Sequence, residues 1–171
     1  MTKEIEIRAL LTKEKYEQLK SLLPQKFKQI TEDKVTTIKF QPPDVRIRFS
    51  DNFQEIVYKS GNSTHDSRKE ISVKLNSKED CEKMIEILRN TGLKEEPQWF
   101  QHKQEFLYDN KYTLSLQHIK NFAYILEAEI IDEDETLHLP ILKQILTNLG
   151  CEPIDKEQFK VKIEEYIKNN K

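Results

Sequence analysis

Glycine is scarce, with three in a chain of 171 residues. Neither a GxGxxG nor a GxxxxGKS/T spacing occurs, which excludes nucleotide binding through a glycine-rich phosphate loop. Cysteine is scarcer: the two, Cys81 and Cys151, lie far apart and form neither a disulfide framework nor a zinc spacing. The four histidines, His65, His102, His118 and His138, show no ligand spacing and read as surface or loop residues. No apolar run approaches membrane length, and the N-terminus is charged from Lys3 onward. The expectation is a reducing, cytoplasmic compartment, with no signal peptide and no membrane partner. Neither sign of charge dominates, since 28 basic and 30 acidic residues leave a net −2. There is no global basic field for duplex nucleic acid, so an anion site must come from local clustering.

What is present is periodicity. Hydrophobic residues make up 36% and charged residues 34%, yet apolar spacing runs nearly end to end, and the length suits one domain over residues 1–171. Residues 3–10 alternate as a strand. Thr12 caps a helix with the stripe Tyr16, Leu19, Leu22, Leu23, stopped by Pro24. Residues 27–40 hold one or two strands, and Pro42-Pro43 breaks the chain. Residues 44–50 and 54–60 form a hairpin around Asp51-Asn52. Gly61 to Ser67 is a polar, mobile loop, and 68–75 is a strand. Ser77 opens a helix with the stripe Cys81, Met84, Ile85, Leu88, ended by Gly92. Strands follow at 98–108, 112–118 and 123–132. Pro140 and Gly150 bracket a third helix. Asp155 caps a fourth with Phe159, Ile163, Tyr166 and Ile167. This is an α+β plan with a mainly antiparallel sheet, open or closed on itself.

The polar faces of the strands carry like charges in pairs. Glu4 and Glu6 share a face, as do Glu127 and Glu129, and Arg46 and Arg48. Lys59, Arg68, Lys74 and Lys103 stand on strands between. A wet sheet face decorated with Glu–Lys pairs is the plain reading of any one strand. As a set, same-sign pairs at i, i+2 make poor surface design. Four apolar-striped helices also need the Ile/Val/Leu faces to cover. If the sheet closes with helices outside, the charges point inward and require divalent cations and a polyanion. Trp99 and Phe100 read as packing residues, Lys69 and Lys74 as solvated, Tyr58 and Tyr124 as lying on the apolar face, and Glu105 as a partner of Lys103.

Glu4-Ile5-Glu6-Ile7-Arg8 resembles the ExExK signature of the CYTH superfamily, the triphosphate tunnel metalloenzymes, with Arg in place of Lys. Arg46-x-Arg48, Lys59, Arg68-x-Glu70 and the segment from Leu116 to Glu129 follow in the family's order. The resemblance implies a closed, antiparallel eight-stranded β-barrel with helices packed outside. It implies that Glu4, Glu6, Glu127 and Glu129 hold Mg²⁺ or Mn²⁺. Arg8, Arg46, Arg48, Lys59, Arg68 and Lys103 would contact phosphate, with Glu4, Glu6 and Glu70 as catalytic acids. The implied substrate is a small-molecule triphosphate (tripolyphosphate, thiamine triphosphate or ATP), and the first expectation is its hydrolysis. Cyclisation of ATP to cyclic AMP by a class IV adenylyl cyclase, and binding without catalysis, are the alternatives. Gln117 stands where the family usually has Asp, Asn121 and Ala123 replace its glycines, and Gln101 to Glu105 keeps only Lys103 of a K-x-R-like pattern. A partly exposed Leu/Ile helix face offers a surface for a homodimer.

Overall fold

The computed structural model describes residues 3–61 and 67–170. The middle of the predicted polar loop, His65 included, lies outside the described residues. The order is β1 (Lys3–Leu11), α1 (Lys13–Lys26), β2 (Lys28–Gln41), β3 (Asp44–Phe49), β4 (Gln54–Lys59), β5 (Ser67–Arg68), β6 (Glu70–Lys74), α2 (Lys78–Asn90), β7 (Lys94–Glu95), β8 (Trp99–Tyr108), β9 (Tyr112–Ile119), β10 (Ala123–Asp132), α3 (Glu135–Asn148) and α4 (Lys156–Asn169).

The sheet is antiparallel and nearly closed. Its strands run β5-β1-β10-β9-β8-β2-β3-β4-β6, with β7 added to β2. The two ends of that path are one stretch of chain interrupted at Lys69, so 67–74 joins β4 to β1. The predicted single strand at 68–75 is therefore two short ones, and counting them as one interrupted stave gives the expected eight. Residues 27–40 are one long strand with a register shift between Gln29 and Thr31. The hairpin at 44–59 pairs as its alternation predicts.

Local chemistry places the helix starts. Thr12, Ser77 and Asp155 each accept a backbone N–H of the first turn, as read from sequence. The two prolines behave differently from expectation. Pro24 sits within the last turn of α1, which runs on to Lys26 because Leu19 and Leu23 are buried and the Phe27 N–H closes on the Leu23 carbonyl at 2.9 Å. Pro140 lies inside α3, which starts earlier because Asp134 accepts the Leu137 N–H at 2.9 Å. Each proline leaves the carbonyl four residues earlier, of Lys20 and of Thr136, without its helical donor, and each helix continues through it.

Ile5, Ile7 and Ala9 of β1 and Leu126 and Ala128 of β10 turn outward against Leu19 and Leu23 of α1 and Leu142 and Leu146 of α3. α2 covers the other side through Cys81, Ile85 and Leu88 against Ile38, Phe40 and Ile47. With the Ile, Val and Leu faces packed outside, the alternating residues face the interior. Three sequence expectations need correction. His138 is buried, its Nε2 3.2 Å from Asp132 and its Nδ1 3.2 Å from the Tyr112 hydroxyl, partners that only the tertiary fold supplies. Phe100 is exposed, on the outer side of β8, while its neighbour Trp99 packs on Phe122 and Tyr166. Ile71 and Val73 of β6, on the apolar face of the predicted 68–75 strand, stay exposed.

Candidate functional site

The inward faces enclose a cavity of about 390 Å³. β1 contributes Glu4, Glu6 and Arg8; β10 contributes Glu127 and Glu129; β3 contributes Arg46 and Arg48. Lys59 comes from β4, Arg68 from β5 and Lys103 from β8. All ten of the residues predicted to hold metal or phosphate line one space. Glu70 is not on that wall; its Oε2 lies 2.8 Å from Lys59 Nζ, and Arg48 is 3.9 Å away.

Register explains the acid cluster. Glu6 lies opposite Glu129, and Glu4 lies opposite Arg68. One carboxylate oxygen from each of Glu4, Glu6 and Glu129 falls within 4.8 Å of the others. Glu127, the fourth acid of the predicted set, turns instead to Arg8, whose Nε donates to it at 2.6 Å, and to the Gln117 amide. Crowded like charges shift their own titration. Burial and the carboxylates of Glu4, Glu127 and Glu6 push Glu129 up to about 8, against the pull of Lys103. Burial, then Glu6, pushes Glu4 up as well, with Lys59 opposing. Burial also penalises Glu6, but Arg8, Lys59 and Arg68 outweigh it and hold that carboxyl at about 2. Three hard oxygen donors of this kind fit Mg²⁺ or Mn²⁺, and a cation among them would relieve the repulsion.

The basic belt is already paired. Arg46 donates from Nε and Nη2 to Asp44, both at 2.8 Å. Arg48 holds Glu55 at 2.6 Å, Arg68 holds Asp44 at 3.1 Å, and Lys103 holds Glu105. Lys59 bonds Glu4, and Arg8 bonds Glu6. Eight lysines and arginines and six glutamates line the cavity, and Asp44, Glu55 and Glu105 pair with its cations from outside the lining.

Sequence reasoning missed several of these groups. Asp44 anchors two arginines, and its D-x-R-x-R spacing was a legible sign that it shares their face. Lys39 lines the wall beside Arg46, its register partner, with Glu96 Oε2 at 3.4 Å. Burial lowers its pKa, with Asp44 pulling the other way. The replacements Gln101 and Gln117 touch each other: the Gln101 amide donates to Gln117 Oε1 at 3.2 Å, and Gln117 donates to Ser115 Oγ at 2.9 Å. Asn121 takes a left-handed φ of 61°, a backbone that glycine adopts freely and asparagine tolerates. α4 does not cover an outer sheet face. Its Phe159, Ile163 and Ile167 close one end of the cavity, with Phe159 stacked 5.1 Å from the Arg8 guanidinium.

A family model for the CYTH domain matches residues 2–158. The chain belongs to the CYTH domain family. Solved structures share this CYTH fold at low identity. The PH1012 protein of Pyrococcus horikoshii OT3 superposes with a TM-score of 0.74 at 19% identity, over 90% of this chain and 98% of that one. A putative adenylyl cyclase from Hippeastrum, described as having a dominant triphosphatase activity, gives 0.67 at 15% identity, over 91% and 90%. The Mimivirus capping enzyme triphosphatase gives 0.60 at 14% identity, over 87% and 88%. No curated protein matches the sequence. No helix among the described residues is long and apolar enough to cross a membrane.

Proposed function

We propose that this CYTH protein hydrolyses a triphosphate inside the barrel, with Mg²⁺ or Mn²⁺ held by Glu4, Glu6 and Glu129 and with Glu127 close by. The observation that carries the reading is one enclosed space in which three carboxylates converge within 4.8 Å opposite a belt of arginines and lysines. Triphosphatase and adenylyl cyclase-like neighbours of the same fold support it.

A divalent ion supplies charge neutralisation at the phosphates and a polarised water. The chain does the rest. Arg8, Arg46, Arg48 and Arg68 present planar forks that match phosphate oxygens in pairs, and Lys59 and Lys103 act as point charges. Each of these cations leaves a carboxylate when the polyanion arrives, so the acids that hold them now keep them oriented beforehand. Glu70 holds Lys59 in place. The wall of the barrel excludes bulk water, which strengthens every one of these contacts. Water attacks the terminal phosphorus, the bridging P–O bond breaks, the leaving phosphate oxygen takes the electron pair, and the proton the water loses passes to a phosphate oxygen. No side-chain nucleophile is required, because phosphoryl transfer rests on positioning and charge stabilisation.

The test is a product analysis. Purified protein is incubated with tripolyphosphate, thiamine triphosphate or ATP, with Mg²⁺ or Mn²⁺. Phosphate release that Glu4→Gln and Glu6→Gln abolish is the expected result. Pyrophosphate with cyclic AMP replaces hydrolysis by cyclisation. Unchanged turnover in both variants refutes the role given to these acids.

A further inference from the structure

The two ends of the cavity differ in chemistry, and the difference bears on which triphosphate it takes. Along β10 the inward residues pass from Glu129 and Glu127 to Ile125, and along β8 from Lys103 through Gln101 to Trp99. On β9, Gln117 lies opposite both Lys103 and Ile125, and Ile119 lies opposite Gln101. The wall thus changes from carboxylates, through Arg8 and Lys103, to a neutral amide pair and then to apolar side chains. α4 faces that apolar end. Phe159, Ile163 and Ile167, four residues apart on one helical face, line the cavity, yet none of them is buried. Among the described residues of α4 only Tyr166 is buried, its ring 4.6 Å from Trp99 and 5.3 Å from Phe122. The apolar stripe of α4 therefore faces space rather than a packed core.

We propose that the substrate is an organic triphosphate, a monoester that carries an aromatic ring, with the ring at the α4 end and the terminal phosphate at the acid end. This rests on the hydrolytic reading above and narrows it. An inorganic polyphosphate is charged and hydrated along its whole length, so it leaves Phe159, Ile163 and Ile167 wet. An apolar lining with a few placed polar groups suits a ligand with an apolar body. Arg8 marks the boundary. It pairs with Glu6 and Glu127 on one side, and its guanidinium lies 5.1 Å from the centre of the Phe159 ring on the other. A phosphate held by Arg8 therefore has Phe159 beside it, where an organic group joined through the ester oxygen meets an aromatic surface. The Gln101–Gln117 amide pair supplies neutral donors and acceptors for ring nitrogens or exocyclic groups.

The test compares ATP, CTP, thiamine triphosphate, methyl triphosphate and tripolyphosphate on the full chain in Mg²⁺. Steady-state kcat/KM is measured for each, with Kd by calorimetry for any compound that is not turned over. Methyl triphosphate carries the same ester and phosphates without a ring. At least one ringed ester is expected to be favoured over it about tenfold or more, which corresponds to about 1.4 kcal/mol. Ile163→Ser is expected to lose most of that gap. Trp99, the chain's single tryptophan, stands at this end, so the favoured ester is expected to change its fluorescence and tripolyphosphate to leave it nearly constant. If Ile163→Ser fails to fold, the wild-type comparison carries the decision. Ringed esters no better than methyl triphosphate, or a gap that Ile163→Ser leaves intact, overturn the proposal while the triphosphate reading stands. No turnover and no binding of any of the five overturns both.

Discussion

Asp44 gives the sharpest quantitative handle on the barrel interior. Its carboxylate accepts two hydrogen bonds from Arg46 at 2.8 Å and one from Arg68 at 3.1 Å. Burial pushes the carboxyl up, but Arg46, Lys39 and Arg68 outweigh that and hold it at about 2, below the ordinary 3.8. A group depressed on folding stabilises the protein above its unfolded pKa and loses that contribution as pH falls through the folded value. The gap of nearly two pH units corresponds to about 2 kcal/mol. The perturbation is Asp44→Asn, compared with wild type by urea unfolding at neutral pH and again near the folded pKa. At neutral pH the variant is expected to be less stable by about 2 kcal/mol, with a lower midpoint and the same slope. As pH falls from about 4 toward 2 the difference is expected to close, because wild type then protonates the same group. Equal stability at neutral pH, or a difference that persists in acid, refutes the reasoning.

Two further outcomes follow from the same contacts. Gln117→Asp removes the amide donated to Glu127 and Ser115 and sets a further carboxylate beside Glu127. It is expected to lower the melting temperature in EDTA and to enlarge the rise on adding Mg²⁺; melting curves with and without metal check it, and no change in either condition contradicts it. Leu142→Ala empties a fully buried position where α3 meets β1 and β10. A loss of about 2–5 kcal/mol is expected from denaturant unfolding, with a value under about 1 contradicting the packing described.

Local signals were legible. The alternation of Glu4-Ile5-Glu6-Ile7-Arg8, the caps at Thr12, Ser77 and Asp155, and the hairpin at Asp51-Asn52 depend on neighbours in sequence, and they read correctly. What depended on distant partners did not. Lys39 joins the wall because β3 lays Arg46 beside it, and His138 is buried because β9 and β10 bring Tyr112 and Asp132 to it. The stripe on α4 announced an apolar face but not that Phe159 and Ile163 would cover a cavity end. The break at Lys69 was hidden because both halves keep the alternation while pairing with different strands. The prolines misled because the buried Leu19 and Leu23 of α1 and the Asp134 cap of α3 fix those helices in place of the prolines.

The central claim is that the barrel binds a triphosphate together with a divalent ion. The most direct measurement is the melting temperature of the full chain with tripolyphosphate, with Mg²⁺, and with both. A ligand that binds only the folded state raises that temperature with its concentration. The account predicts the largest rise with both together, and its loss in the Glu4→Gln, Glu6→Gln double variant. No rise with any combination would contradict it.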